Sequence, residues 1–176
     1  MKKILISIIG VFVLSGSIFA QSQAEISRDA KGNKILKGII SRQDVEKDTA
    51  FAWWAENLKA YTPQSQAVAE LKKNTNLQLV VFMGTWCEDS HFVIPKFYAL
   101  LDAAGFPQEN VTLIGVDRSK KTLSHLAEAL NITNVPTIIV MNNGKEAGRI
   151  IEYGKYGMID KELAEIIASI PASPGQ

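Results

Sequence analysis

The alternation of apolar and polar positions predicts a chain in which strands and helices follow each other. Four apolar stretches have the length of buried strands: 35–40, 77–83, 111–116 and 137–141. The second is interrupted only by Gln78, as expected for a strand that is covered on both faces. After the fourth, residues 142–144 (Asn-Asn-Gly) form a hairpin turn, and 149–153 returns as the partner strand.

A long helical region is predicted between the first two strands, over residues 44–74. Ser41 and Asp44 have the spacing of a capping box at its start. Phe51 and Trp54 then recur on one helical face. We interpret this aromatic stripe as core packing rather than as a binding surface, because large aromatic side chains on one helix face are usually buried.

Further helix signals follow at regular intervals. A second helix of the same region is predicted to begin at Thr62-Pro63, and another covers 88–104 before Gly105 stops it. Apolar stripes mark two more helices near 123–130 and 163–170. Strands that alternate with helices predict an α/β fold, with a mainly parallel central sheet covered on both faces and an antiparallel C-terminal hairpin.

The first twenty residues have the three parts of an export signal. Lys2 and Lys3 precede an apolar run, and small residues between Ser17 and Ala20 offer a cleavage site. An uncleaved membrane anchor is the alternative, but small and polar residues break the run, which falls short of the ~20 residues that a bilayer span needs. We expect 1–20 to be a cleaved signal peptide and the product to be exported, to the periplasm or outside the cell, with no membrane span in the mature chain.

Length and charge describe one folded domain. The chain has 176 residues, and loss of a leader with two lysines changes its formal net charge from +1 to −1. That balance leaves no basic footprint for nucleic acid. We divide the exported chain into a polar segment over 21–34, a domain over 35–170 and a tail over 171–176. The polar segment is predicted to be a flexible lead or a loose hairpin around its Lys31-Gly32-Asn33 turn.

Cys87 is the single cysteine of the chain, so no internal disulfide can form. It is an inert buried thiol, half of an intermolecular bond, or a reagent. Cys87 directly follows the strand 77–83 and opens the helix 88–104, where unpaired N–H groups and the helix dipole favour a thiolate over a thiol. Its placement makes Cys87 a candidate nucleophile.

A set of motifs along the chain resembles the thioredoxin family over residues 35–170: Trp86-Cys87-Glu88-Asp89-Ser90, Pro95, Asp117, Val135-Pro136-Thr137 and the 142–145 hairpin. The resemblance implies a thioredoxin-like three-layer α/β/α fold and protein thiols or disulfides as partners. It implies that a cis peptide bond precedes Pro136 and that this proline lies against the sulfur of Cys87. Trp86 and Val135 would then bind substrate with Pro136. No cofactor is implied, and Cys87 and the two histidines lack the spacing of a zinc site, so we expect no metal.

Two positions depart from the family pattern. Ser90 stands where the family has a second, resolving cysteine, so a mixed disulfide on Cys87 would persist until an external reducing thiol attacks it. Val81 stands where the family has a buried acid that relays protons. We assign Ser90 to the catalytic site beside Cys87, as a hydrogen-bond donor to the thiolate, with a solvated helix serine as the alternative.

Three neighbours are candidates for tuning the ionisation of Cys87. Glu88 and Asp89 suit a helix N-terminus, yet their charges oppose a thiolate. They also disfavour an anionic thiol such as glutathione, which favours protein substrates. His91 lies one turn after Cys87 on the same helix face, and a protonated imidazole there would favour the thiolate, whereas a solvated histidine would not affect it.

Three functions are compatible with these residues. The first is a thiol-disulfide oxidoreductase that works through Cys87 alone, by a mixed disulfide with a protein substrate. The second is a redox-inactive binding module that holds an extended peptide in the same groove. The third is a dimer joined through Cys87. We favour the first, acting as a monomer, because a plain scaffold needs neither the Trp86-Cys87 pair nor Pro136.

Overall fold

The structure, a computed structural model, describes residues 24–171. The predicted signal peptide (1–20), residues 21–23 of the polar segment and residues 172–176 of the tail lie outside the described residues. The described strands are β1 (Ala24–Arg28), β2 (Lys34–Ile40), β3 (Gln78–Met83), β4 (Val111–Gly115), β5 (Thr137–Asn142) and β6 (Lys145–Ile151). The α-helices are α1 (Arg42–Glu46), α2 (Trp53–Leu58), α3 (Ser65–Lys73), α4 (Glu88–Ala104), α5 (Leu126–Ala129) and α6 (Ile159–Ala168).

The described strands form one mixed sheet in the order β1-β2-β4-β3-β5-β6. Only β3 and β4 run parallel, and the other four neighbouring pairs are antiparallel. The predicted α/β fold and its antiparallel C-terminal hairpin are confirmed. The prediction of a mainly parallel sheet is wrong.

The connection between β4 and β5 explains that error. Its only α-helix, α5, has four residues and is about 6 Å long at 1.5 Å per residue, whereas a strand of five or six residues spans ~17–20 Å. The connection therefore does not return along the sheet, and β5 starts at the end where β3 and β4 finish, with Thr137 opposite Phe82. A strand that starts at this end runs antiparallel to β3.

Side chains on the two faces of the sheet enter two separate hydrophobic clusters. Leu79 and Val81 point into the larger cluster, which includes buried residues of α2, α3, α4 and α6. Phe82 points into the smaller cluster with Ala127 of α5. The alternation along β3 follows from the two-residue period of a strand, and helices lie on both faces as predicted.

The N-terminal part of the described chain is ordered as a hairpin rather than as a flexible lead. β1 pairs antiparallel with β2, with Ile26 opposite Leu36. Asp29 closes the turn, because its carboxylate accepts hydrogen bonds from the backbone N–H groups of Lys31 and Asn33. Over the described residues 24–34, the structure has the predicted hairpin, and β1 extends the sheet beyond the predicted boundary at residue 35.

The helical region predicted over 44–74 is broken into short pieces. The capping box of Ser41 and Asp44 is present, but α1 ends at Glu46, and Asp48 then caps a 3-10 turn over Thr49–Phe51. The second predicted helix starts at Ser65, not at Thr62-Pro63. Asp160 of α6 accepts the backbone N–H of Gln64 and the hydroxyl of Tyr61, so this contact with α6 holds the chain before α3 in an extended form.

Candidate functional site

Cys87 is the N-cap residue of α4, directly after the turn that leaves β3. Its backbone N–H donates to the Gly84 carbonyl at 2.9 Å, and its carbonyl accepts the His91 N–H at 3.0 Å. The thiol donates to the carbonyl oxygen of Val135 at 3.2 Å. The Val135-Pro136 peptide bond is cis, as the family resemblance implies. The half-buried sulfur of Cys87 therefore lies beside this peptide bond at the surface of the domain.

Trp86 is fixed beside Cys87 by three neighbours. Its indole N–H donates to the Val116 carbonyl at 2.9 Å. The guanidinium of Arg118 lies 5.1 Å from the centre of a Trp86 ring. Gly84 lies beneath the indole, and a Cβ atom at that position would come within 2.7 Å of the ring. The ring is thus held against the turn, half-buried, next to the thiol.

Ser90 is fully buried one turn into α4. Its hydroxyl oxygen accepts the backbone N–H of Gly84 at 3.1 Å. This contact differs from both sequence predictions, which were a solvated hydroxyl and a hydroxyl that donates to Cys87. The position of the missing second thiol is instead occupied by a group that anchors the turn before Cys87.

The side chain of His91 is half-buried and packs against α2. Its ring stacks on Trp53 of α2, with ring centres 4.2 Å apart and planes 11° from parallel. Nε2 lies 2.8 Å from the Thr85 carbonyl, so we assign it the proton of a neutral ring. Burial lowers the pKa of His91 below its ordinary value of 6.5, although the Thr85 carbonyl opposes that shift. A neutral His91 does not provide the positive charge that the sequence suggested for it.

The two carboxylates that follow Cys87 differ in their surroundings. Glu88 is exposed, whereas Asp89 is half-buried and accepts the hydroxyl of Tyr153 at 2.7 Å. This hydrogen bond, with burial as the second cause, raises the pKa of Tyr153 to about 12. Tyr153 therefore stays protonated at neutral pH and holds the Asp89 carboxylate in place beside the helix start.

A groove of about 690 Å³ opens next to Cys87. One side is formed by Trp86, Cys87, Glu88 and Asp89 with the buried Thr85 behind them. The other side is the tip of the β1-β2 hairpin, residues 28–34, which the sequence analysis did not place at the site. The signal that could have found it is the spacing of three cations, Arg28, Lys31 and Lys34, around a turn.

Thr85 and Arg118 tie the hairpin to the cysteine turn. The Thr85 hydroxyl donates to the Lys34 carbonyl at 3.0 Å and accepts the Leu36 N–H at 3.2 Å. Arg118 forms an ion pair of 2.5 Å with Asp29 in the hairpin turn while it covers Trp86. The two sides of the groove are therefore joined by direct contacts rather than merely adjacent.

The described residues provide neither a candidate metal site nor a candidate membrane span. Between residues 24 and 171, no three His, Cys, Asp or Glu side chains are grouped closely enough to hold a metal ion. None of the helices in that range has the length and apolar character needed to cross a membrane.

The chain is similar in sequence to known proteins. The thioredoxin family model matches residues 60–166. Thioredoxin H2 of Arabidopsis thaliana is 28% identical over 99 residues, which cover 56% of this chain and 69% of that protein. A thioredoxin of Mycoplasma genitalium is 31% identical over 90 residues, covering 51% and 79% of the two chains. A solved structure of a Pseudomonas aeruginosa protein of unknown function superimposes with a TM-score of 0.47 at 17% identity, over 66% of this chain and 81% of that one.

Proposed function

Since the chain belongs to the thioredoxin family, we propose that it is an exported thiol-disulfide oxidoreductase that acts on protein disulfides through one cysteine. One observation carries the proposal. The Cys87 thiol lies half-buried at the groove and against the cis Val135-Pro136 bond, while the buried Ser90 hydroxyl occupies the position of the second thiol. The groove can thus present one sulfur to a substrate but has no second sulfur with which to release it.

The reaction begins when the Cys87 thiolate attacks one sulfur of a substrate disulfide. A Cys87–substrate S–S bond forms, the substrate S–S bond breaks, and the departing sulfur takes the electron pair and then a proton. His91 contributes no cationic charge, because burial keeps its ring neutral. Trp86, Val135 and Pro136 hold the substrate segment next to the sulfur.

The mixed disulfide then persists until a second thiol arrives. In a dithiol enzyme, the second cysteine attacks intramolecularly at an effective concentration of about millimolar or more. Ser90 supplies no such nucleophile, and the buried Val81 supplies no proton relay behind it. Two external thiols must therefore act in turn. The first attacks the Cys87 sulfur, so the substrate leaves as a thiol and Cys87 is left in a disulfide with the external thiol. The second attacks that disulfide, which restores the Cys87 thiol and releases the disulfide of the two external thiols.

The lifetime of the mixed disulfide tests this mechanism. The protein is treated with a cysteine peptide activated as its 2-thiopyridyl disulfide, and the adduct is followed by mass spectrometry. We expect the wild-type adduct to last until free thiol is added. In Ser90→Cys we expect the adduct lifetime to fall by about tenfold or more, because the new thiol is one helical turn from Cys87.

Two variants make this test specific. Ser169→Cys adds a thiol at an exposed position at the end of α6 and should leave the adduct lifetime unchanged. Cys87→Ser should form no adduct. A wild-type adduct that decays without added thiol would refute the single-thiol mechanism. A folded protein that forms no adduct at all would favour the peptide-binding module instead.

Export is part of the proposal and has its own test. Lys2 and Lys3, the apolar run and the small residues up to Ala20 support cleavage before Gln21. Expression of the full chain in a bacterium, followed by fractionation and N-terminal sequencing, should give a periplasmic or secreted product that starts at Gln21. A membrane-bound product that retains Lys2 and Lys3 would contradict it.

A further inference from the structure

The hairpin side of the groove carries a concentration of positive charge. Four cations line the groove: Arg28, Lys31, Lys34 and Arg118. Three of them come from a segment that precedes the matched residues 60–166. Most of the positive charge of the groove therefore comes from residues outside the part of the chain that the family model matches.

The four cations differ in how far the protein itself neutralises them. Lys34 pairs with Asp48 at 2.5 Å, and Arg118 pairs with Asp29 at 2.5 Å. Arg28 donates to the Gly32 carbonyl. Because a carbonyl is neutral, this contact does not cancel the charge of the guanidinium. Lys31 is exposed and has no ion pair within residues 24–171. Arg28 and Lys31 are thus the cations at the hairpin tip that a bound group can use.

The opposite side of the groove has the other sign. Glu88 and Asp89 lie at the start of α4 immediately after Cys87. An occupant that crosses the groove therefore meets positive charge at the hairpin and negative charge at α4. A segment that is acidic on both sides of its cysteine would be repelled at α4, whereas one with acidic residues on a single side fits both surfaces.

We propose that the groove selects protein segments whose reacting cysteine has acidic residues on one side only, with those carboxylates facing Arg28 and Lys31. This inference rests on the proposed function, because it takes Cys87 as the attacking group. It names the substrate class by its charge pattern. The hairpin would act before the chemical step, by orienting the segment so that its sulfur meets the sulfur of Cys87.

Activated peptides test the selectivity directly in the full chain. Each peptide has one cysteine as a 2-thiopyridyl disulfide. Attack by Cys87 forms the protein–peptide S–S bond, and the electron pair leaves with 2-thiopyridone, whose release is measured. One peptide has two Glu residues before the cysteine, and another has two Glu residues after it. Further peptides carry Lys at the same positions, and a peptide with Gln there is the reference. The neutral leaving group keeps its own charge out of the comparison.

The expected result is a rate difference that depends on salt. The faster of the two Glu peptides should react about tenfold faster than the Gln peptide at low ionic strength, and less than about twofold faster near 1 M salt. Lys31→Glu should remove most of this preference. Lys145→Glu, the same substitution at an exposed position outside the groove, should retain it.

The outcomes separate this inference from the function on which it rests. Equal rates for the Glu, Lys and Gln peptides would overturn the charge selectivity and leave the reactivity of Cys87 established. Equal losses in Lys31→Glu and Lys145→Glu would also overturn it, because the preference would then reflect net charge. A lack of reaction with every peptide would refute both proposals.

Discussion

The two sides of the groove around Cys87 come from different parts of the chain. The cysteine turn, α4 and the cis Val135-Pro136 bond lie within residues 60–166, which the thioredoxin model matches. The hairpin tip over 28–34 and the stacked Trp53 lie before them. The matched side provides the thiol and its geometry. The preceding side provides most of the positive charge and covers His91, so the proposed reaction and its proposed selectivity have separate structural origins.

The two regions also share one hydrophobic core, so the preceding region is not a loose addition. Val45, Phe51 and Trp54 belong to the same buried cluster as α3, α4 and α6. β1 and β2 extend the same sheet. We therefore expect one cooperative unfolding transition for both regions rather than two.

The largest effect is expected from Trp54, which joins the preceding region to α4. Trp54 is 2% exposed and contacts Tyr98 with ring centres 5.7 Å apart. Trp54→Ala should lower the free energy of unfolding by about 3–5 kcal/mol, because it leaves a cavity between α2 and α4. Chemical denaturation followed by circular dichroism measures this change.

A matched substitution shows whether the ring or its polar atom matters. The indole N–H of Trp54 is buried with no hydrogen-bond partner within residues 24–171. Trp54→Phe removes that group and keeps an aromatic ring, so its cost should stay below about 2 kcal/mol. If Trp54→Ala also lowers the free energy of unfolding by less than about 2 kcal/mol, the preceding region contributes little to the shared core.

Gly84 tests the matched side of the groove. A Cβ atom there would lie 2.7 Å from the Trp86 ring, so Gly84→Ala should displace the indole from beside Cys87. We expect a loss of about 1–3 kcal/mol in unfolding free energy and a slower reaction of Cys87 with the Gln peptide. Both are measured on the same preparation.

Gly148 provides the control for that prediction. A Cβ atom at Gly148 meets the side chain of Ile166 at 3.0 Å, outside the groove. Gly148→Ala should therefore change stability without changing the rate of Cys87. If Gly84→Ala leaves that rate unchanged as well, the position of Trp86 does not influence the thiol.

A smaller effect is expected at the contact between the two sides, His91 on Trp53. Burial lowers the pKa of His91 below the 6.5 of the unfolded chain, so the folded protein binds fewer protons than the unfolded protein below that pH. Stability from this group is complete above about pH 6.5 and declines as the pH falls towards the folded pKa. His91→Phe keeps an aromatic ring against Trp53 and should flatten the stability curve between about pH 7.5 and about pH 5.5.

His125 is the matched control for the pH experiment. Its side chain is 91% exposed, and its positive φ of 54° suits asparagine. His125→Asn should retain the wild-type pH slope. A slope that is unchanged in His91→Phe would show that His91 is not the group that titrates.

The sequence was sufficient for elements whose limits are set locally. α4 has the predicted bounds 88–104, because Cys87 opens it and Gly105, at a φ of 61°, closes it. The 142–144 turn was also predicted correctly, since it is determined by local turn residues. The antiparallel direction of β5 was not predicted, because it depends on the shortness of α5 in the tertiary structure.

Some features of the site were predicted and others were not, again because local patterns do not encode long-range contacts. Trp86, the chain neighbour of Cys87, and the distant Val135-Pro136 segment both lie where the resemblance implies. The contact of His91 with Trp53 is a long-range feature that no local pattern encodes. The three cations of the hairpin tip indicate a charged turn, but not its position beside Cys87. Ser90 could be recognised as a replaced cysteine, but its hydrogen bond to Gly84 depends on the path of the turn.

Alkylation of Cys87 in the folded and the unfolded protein tests the central claim most directly, because it reports whether the folded groove presents a reactive thiol. The rate with iodoacetamide is measured near pH 7 in buffer and in denaturant, with the mass of the product confirming one site. We expect folded Cys87 to react at least as fast as unfolded Cys87. A slow reaction in the folded protein that accelerates only on unfolding would contradict it and identify a buried structural thiol.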